Sequence, residues 1–357
     1  MAGQIFRIHA LHADHGDCLW IEYGGADAPY RILVDCGTTG TYPRLKKALD
    51  LVKGKPGHNE LLVITHVDSD HIAGALPLLT DPANAKLFGD IWFNGRKHLE
   101  PSTGLESFGA VQGEALTQAL LDNKSPWNSA YGFNSISLEE DGRPKKMTLP
   151  GGALLTILSP TWAKLRAMKS RWDAEVKAAG LDPATEAPPP QPISPGFEAF
   201  GFDMDALADF PFLEDDTKPN GSSIALLIKY GGKSMLLGAD AHPSVLVDSV
   251  RLLTGGTELT VDLLKVPHHG SKNNTSKALL ELVRCKVALF SSNGAYYKHP
   301  DKEAVARMIK YSPPGVHLAF NCKTKFNNVW DSDELRSNWS YTTEYGIGEE
   351  GISIHLM

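Results

Sequence analysis

Leu61-Leu62-Val63-Ile64-Thr65 is an apolar, β-branched run without polar alternation, and it opens directly into His66-Val67-Asp68-Ser69-Asp70-His71. A strand of this kind must be covered on both faces, which calls for a sheet inside a layered α/β molecule. At its end four imidazole or carboxylate side chains fall within six residues. Those donors suit zinc, manganese or iron. A loop at a strand end can turn His66 and Asp68 toward one point. Asp70 and His71, entering a helix, can turn toward a second point nearby. A plain polar loop with Asp70 as helix N-cap accounts for one acid, not for two acids and two histidines.

The rest of the chain alternates in the same way. Strands are predicted at 5–11, 18–24, 31–37, 90–94, 147–152, 153–159, 261–266, 286–292, 316–320 and 351–356, with a hairpin over 223–238 turning at Gly231-Gly232. Helices are predicted from Pro43, through HIAGALPLL after the metal motif, at 109–121, from Pro160 to Gly180, at 242–253, at 275–283 and at 300–310. The helix from Pro160 carries Trp162, Leu165, Met168, Trp172 and Val176 along one stripe. Residues 187–196 are too proline-rich for helix or central strand, so 181–219 reads as a long loop. Alternating strands and helices place helices outside sheets.

Composition narrows the functional classes. At 357 residues, 42% hydrophobic, 22% charged and a net charge of -7, the chain is globular rather than disordered or fibrous. No apolar run is long enough to span a membrane, and the first residues alternate like a strand instead of forming a signal peptide. Cys18, Cys36, Cys285 and Cys322 are scattered, with no CxxC pair, which suits a reducing cytoplasm. The acidic balance argues against a permanent DNA-coating surface, while leaving room for transient nucleic-acid contact at a metal site.

Thr65-His66-x-Asp68-x-Asp70-His71 after an apolar strand resembles the signature of the metallo-β-lactamase fold superfamily. The usual pattern is HxHxDH; here it is HxDxDH, a variant similar to the hydrolase domain of ComEC-like DNA-uptake proteins. Further elements follow in order: Gly16-Asp17-Cys18-Leu19, Val34-Asp35-Cys36-Gly37, Asn220-Gly221-Ser222-Ser223, Ser234-Met235-Leu236-Leu237-Gly238-Ala239-Asp240, Leu263-Leu264-Lys265-Val266-Pro267-His268-His269-Gly270-Ser271, and Asn293, Tyr296 and His299-Pro300. The resemblance covers about residues 5–320. It implies a four-layer αββα sandwich, one domain over 1–357, with an irregular insertion at 95–147 and a helix plus proline-rich, lid-like insertion at 160–219.

The resemblance also implies a site. Two divalent metal ions, zinc or manganese, would be bridged by Asp240, with His66 and Asp68 on one and Asp70, His71 and His268 on the other. Asp17 and Asp35 would support the metal loops from behind, and Asp70 and His299 would serve at the reaction. His269, Asn220 and His242 are possible ligands or substrate contacts. On an extended chain only one of His268 and His269 points inward, and His268 is favoured. Where the family's third histidine follows a strand, this chain has Ser159-Pro160-Thr161; Asn220, His269 or His299 could complete that position. His299, Lys265, Lys272 and Lys298 are candidates to bind a phosphate.

The expected activity is metal-dependent hydrolysis of a phosphodiester, nucleic-acid-like or nucleotide substrate. Hydrolysis of an ester, lactone or lactam on the same fold is the alternative enzyme reading. A catalytically degenerate metal-binding regulatory module is the alternative outside enzymes, supported by the missing histidine.

Overall fold

The computed structural model describes residues 3–84, 86–99, 111–179 and 203–357. Five strands open the chain: β1 (Gln4–Ala10), β2 (Leu19–Gly25), β3 (Tyr30–Val34), β4 (His58–Ile64) and β5 (Asp90–Phe93). A second series comprises β6 (Lys146–Thr148), β7 (Leu154–Ser159), β8 (Ala225–Tyr230), β9 (Lys233–Leu237), β10 (Leu259–Lys265), β11 (Val283–Phe290), β12 (His317–Phe320) and β13 (Thr342–Tyr345). The last strand, β14 (Ile352–His355), returns to the first series. The result is a six-stranded sheet ordered β14-β1-β2-β3-β4-β5 and an eight-stranded sheet ordered β13-β12-β11-β10-β9-β8-β7-β6. Both are mixed: β3, β4 and β5 run parallel, as do β9 to β13, and the remaining pairings are antiparallel.

The apolar runs explain the layering. In β4, Leu61 and Val63 face the core between the sheets, beside Leu155, Leu226 and Leu263 of the other sheet. Leu62 and Ile64 face the opposite way, onto helices. Those helices are α1 (Tyr42–Val52), α3 (Ala75–Leu79), α4 (Val111–Asp122) and α5 (Trp162–Ala179), with the short α2 (Ser69–Ile72) preceding α3. On the outer face of the larger sheet lie α6 (Met204–Ala208), α8 (Pro243–Thr254), α9 (Lys277–Leu282) and α10 (Lys302–Tyr311). The short α7 (Lys218–Gly221) precedes β8, and α11 (Asp333–Trp339) precedes β13. Helix, sheet, sheet, helix is the expected four-layer sandwich. Leu165, Met168 and Trp172 of the predicted α5 stripe are fully buried, and each such side chain contributes roughly 1.5–3 kcal/mol through burial.

Several local expectations are corrected. The helix read through HIAGALPLL is two short helices: Ala73 and Gly74 keep helical dihedrals, but Pro77 has no amide to donate to the Ala73 carbonyl, so the ladder is interrupted there. Gly74 lies so close to the loop after β3 that a Cβ would stand 2.0 Å from the Cys36 carbonyl oxygen. Within 181–219, the proline-rich run lies outside the described residues, and the remainder is not all loop. Met204–Ala208 is a helix capped by the Asp203 side chain, which accepts from the Ala206 amide; five residues are too few to show a helical period. The helix read at 275–283 ends at Leu282, and Val283 already belongs to β11. All four cysteines are free and buried. No helix among the described residues is long and apolar enough to cross a membrane.

Candidate metal centre

The site gathers at the C-terminal ends of parallel strands from both sheets, where side chains from different loops converge. His66 follows β4, Asp35 follows β3, Asp240 follows β9 and His268-His269 follow β10. Asp70 and His71 ride on α2, with Asp68 at its N-cap position. Gly16 lets the loop before β2 lie on α2, since a Cβ there would stand 1.8 Å from the Asp70 carbonyl oxygen. The hairpin β8–β9 thus delivers Asp240 Oδ2 to 3.8 Å from His66 Nε2.

Each of four imidazoles is held through Nδ1, so that Nε2 faces the others. Thr65 Oγ1 donates to Asp35 Oδ2 (2.7 Å), so it accepts from His66 Nδ1 (3.0 Å). His71 Nδ1 donates to Asp35 Oδ2 at 2.8 Å, His268 Nδ1 to Asn274 Oδ1 at 2.8 Å, and His269 Nδ1 to the Ser291 carbonyl at 2.8 Å. With the proton fixed on Nδ1, the Nε2 lone pair is free to ligate.

The inward atoms form two groups that share Asp240. In one, His268, expected beside Asp70 and His71, stands with His66 instead: their Nε2 atoms are 3.5 and 3.8 Å from Asp240 Oδ2, and Asp68 Oδ2 is 3.6 Å from His66 Nε2. In the other, His71 Nε2 is 3.4 Å and His269 Nε2 3.9 Å from Asp240 Oδ2. Asp70 Oδ2 completes it, 3.4 Å from His269 Nε2 and 3.8 Å from His71 Nε2. Ligands around a tetrahedral zinc stand about 3.3–3.6 Å apart; the second group, with contacts of 3.4–3.9 Å, comes close to that spacing, while the first is linked as a chain, His268 to Asp240 to His66 to Asp68, at 3.5–3.8 Å. His66 Nε2 and Asp240 Oδ1 are buried without any hydrogen-bond partner. Such orphaned atoms are costly unless a ligand completes them. The residues present therefore fit a metal.

Both adjacent histidines face inward, against the expectation from extended backbone. His268 and His269 both adopt left-handed conformations, with φ of 47° and 53°. The chain coils there, so the alternation of a strand does not apply.

Charge follows geometry. Burial would raise the Asp240 carboxyl, but His268, His71 and His269 hold it well below the usual carboxylate range. Burial would lower His71, yet Asp240, Asp35 and Asp70 raise it well above an ordinary histidine. His268 is raised to about 9, with burial opposed by Asp240 and Asp215. A dense carboxylate–imidazole cluster of this kind is poised to exchange protons for a cation.

Behind the ligands, Asp35 accepts from the Thr65 amide (2.8 Å), Thr65 Oγ1 and His71. Asp17 lies in the same close group as His71, Asp240 and His269. Its Oδ2 pairs with Lys265 Nζ at 2.9 Å and its Oδ1 accepts from Ser291, which leaves Asp70 as the carboxylate aimed at the cage. Lys265 is fully buried against Asp17, so it does not reach a substrate. Lys272 pairs with Glu303 at 3.4 Å. Lys298 is exposed beside His299. The His299 ring lies 5.4 Å from that of His268, and its buried Nδ1 makes no hydrogen bond but faces Asp301 Oδ1 at 3.5 Å. Asn220 Nδ2 is 3.4 Å from His268 Nδ1. His242 faces elsewhere: it caps α8, and its ring meets Lys164 Nζ at 2.7 Å and the Thr217 carbonyl at 2.9 Å.

Two residues escaped sequence reasoning. Asn274 holds His268, and Asp215 lies 3.6 Å from the same Nδ1. Neither stands in a recognisable motif, and only the folded loops bring them to the site.

Residues 10–93 match the sequence model of the metallo-beta-lactamase superfamily. Over 139 residues the chain is 31% identical to Recombination protein 2 of Haemophilus influenzae, covering 37% of this chain and 17% of that protein. Over 103 residues it is 27% identical to ComE operon protein 3 of Bacillus subtilis, covering 29% and 13% respectively. The chain thus spans less than a fifth of these curated relatives. Among solved structures, Zn(2+)-bound PqqB from Methylobacterium extorquens aligns over 98% of this chain and 99% of its own, at 11% identity and a TM-score of 0.41. The segment 10–93, with the HxDxDH loop inside it, thus matches the metallo-beta-lactamase superfamily, and the chain has ComEC-like relatives.

Proposed function

We propose that this protein is a dinuclear metallo-hydrolase acting on phosphodiesters of nucleic-acid or nucleotide type. The observation that carries the reading is the pair of ligand groups sharing Asp240, each with two inward Nε2 atoms and a second carboxylate. Zinc or manganese suits this mixture of nitrogen and oxygen donors. Bound there, two divalent ions supply Lewis acidity and a water of lowered pKa, which suits in-line displacement at phosphorus.

The chain's own residues do the rest. Asp35 and Asn274 keep His71 and His268 oriented, so the cage is preorganised. Burial keeps His299 below the ordinary histidine range, so at neutral pH its ring is neutral and can hold a proton at one nitrogen near the leaving group. Lys298 gives the rim a cation. Rings continue outward from His299: Tyr297 stacks on it at 5.9 Å, Tyr296 meets Tyr297 edge-on at 4.5 Å, and His15 stacks on Tyr296 at 5.2 Å. Tyr297 is 47% exposed, an aromatic surface on which a nucleobase can stack. The name of the Haemophilus relative, Recombination protein 2, agrees with nucleic acid as substrate.

The test is turnover of bis-p-nitrophenyl phosphate and a single-stranded oligonucleotide, beside a lactone and an aryl ester, by protein loaded with zinc or manganese. We expect phosphodiester cleavage that a chelator abolishes and that Asp240→Ala lowers by at least about a thousandfold, since that change removes a ligand of both groups. Lactone or ester turnover without phosphodiester cleavage overturns the substrate. Two bound metals without any turnover overturn the enzyme and leave a binding module.

A further inference from the structure

The first ligand group has an unusual origin. No histidine follows β7, where Ser159-Pro160-Thr161 stands. The imidazole that fills the group beside His66 is His268, from the far side of Asp240. It is oriented by residues outside every motif. Its Nδ1 donates to Asn274 Oδ1 at 2.8 Å. Asn274 is fully buried and is itself pinned, its Nδ2 donating to Asp215 Oδ2 at 3.0 Å and to the Asp240 carbonyl at 3.2 Å. Asp215 Oδ2 also accepts from Asn220 Nδ2 at 2.6 Å and lies 3.6 Å from His268 Nδ1. One carboxylate therefore meets His268 and the two amides beside it. The amide orientation of Asn274 follows from it: with Nδ2 drawn to Asp215, Oδ1 is left to accept from the histidine.

The segment carrying Asp215 is clamped in place. The Asp215 amide donates to the Asn273 carbonyl at 3.1 Å. The buried Arg307 of α10 reaches across the same two segments. Its guanidinium donates to the carbonyls of Ala208 and Phe210 on one side, at 3.2 and 2.6 Å, and of Lys272 and Thr275 on the other, at 2.7 and 3.2 Å. This four-point, charge-assisted tie holds the segment ending at Phe210 against the Lys272–Thr275 loop that carries Asn274.

We propose that Asp215 is a positioning residue of the metal centre, which acts through Asn274 to lock the His268 imidazole with Nε2 toward Asp240, completing the group that lacks a histidine after β7. The inference rests on the metal centre proposed above. It gives the segment before β8 a structural role in the site, and it explains how the centre is complete without the usual third histidine.

The experiment is calorimetric titration of the full, chelator-stripped protein with zinc alone, for wild type, Asp215→Ala and Asn274→Ala. Wild type is expected to bind two equivalents. Asp215→Ala should weaken one equivalent by about 10- to 100-fold, the range for loss of a group behind a metal ligand, and leave the other within about threefold. Asn274→Ala, which removes the acceptor of His268 while leaving Asp215 in place, should weaken the same equivalent and serves if Asp215→Ala fails to fold. Visible absorption of cobalt-loaded protein should change in one of two bands, a signature that mere packing would not move. Two wild-type equivalents with unchanged affinity in both variants overturn the proposal alone. Equal weakening of both equivalents in folded protein also overturns it, because Asp215 would then hold the whole centre. No zinc binding by wild type overturns the metal centre and this inference together.

Discussion

Lys265 is the residue whose environment departs furthest from its type. Lysine is almost never fully buried without a partner, and this one is 0% exposed, with Asp17 Oδ2 at 2.9 Å and the Val266 carbonyl at 3.1 Å. Burial would raise the Asp17 carboxyl, but Lys265, His269 and His71 hold it far below the usual range. Removing one member of a buried pair leaves the other charge uncompensated, at about 3–5 kcal/mol. Lys265→Met should therefore lower unfolding free energy by about that much in urea titration, and Asp17→Asn placed on top of it should recover part of the loss. An unchanged midpoint for Lys265→Met would show that Asp17 needs no counter-charge. In the sequence this lysine reads as one more cation near a phosphate; only its burial reveals an internal role.

At the level of elements, the long periodic segments were legible: the unalternating β4, the β8–β9 hairpin, and α5, α8 and α10. Short elements were not. The polar β13 reads TTEY, with its residues exposed or half-buried, and α6 spans five residues. These take their conformation from neighbours rather than from their own pattern. Junctions between elements follow the same rule. Gly74 joins α2 to the loop after β3, donating its amide to the Gly37 carbonyl at 2.9 Å, while the Cys36 amide donates to the His71 carbonyl at 3.0 Å. Gly74→Ala places a Cβ 2.0 Å from the Cys36 oxygen. Overpacking a close backbone contact costs typically about 1–3 kcal/mol, and the shift separates His71 from Asp35. Gly74→Ala should thus show both a lower thermal midpoint and weaker zinc binding. A variant less stable but with unchanged zinc affinity would show that this junction does not position the ligands.

For the whole molecule, the centre joins the two halves. His66, Asp70 and His71 come with the six-stranded sheet, and Asp240, His268 and His269 with the eight-stranded one. A ligand held by groups from both sheets, and absent from the unfolded chain, stabilises the fold by mass action. At a hundredfold excess over Kd one site contributes about 2.7 kcal/mol, a rise in Tm of about 3–4 °C for a chain of this size. Differential scanning calorimetry of stripped protein, with and without zinc, checks this. A chelator should reverse the shift, and Asp240→Ala should lessen it. No shift with zinc would mean that the two sheets do not share a metal.

The chain's local order determined much of this protein. A run of apolar residues ending in His66-x-Asp68-x-Asp70-His71 specifies a buried strand and a ligand-bearing loop together, because strand, turn and helix start depend on near neighbours in sequence. The alternation of strands and helices specified the layers. What only the tertiary structure decided is how ligands on separate loops meet. Left-handed backbone at His268 and His269 turned both rings inward, packing removed Lys265 from solvent and drew His242 to Lys164, and the Asn274 amide holds Asp215 behind His268. Those outcomes depend on contacts between residues far apart in the chain, and no spacing along the sequence encodes the distance between them.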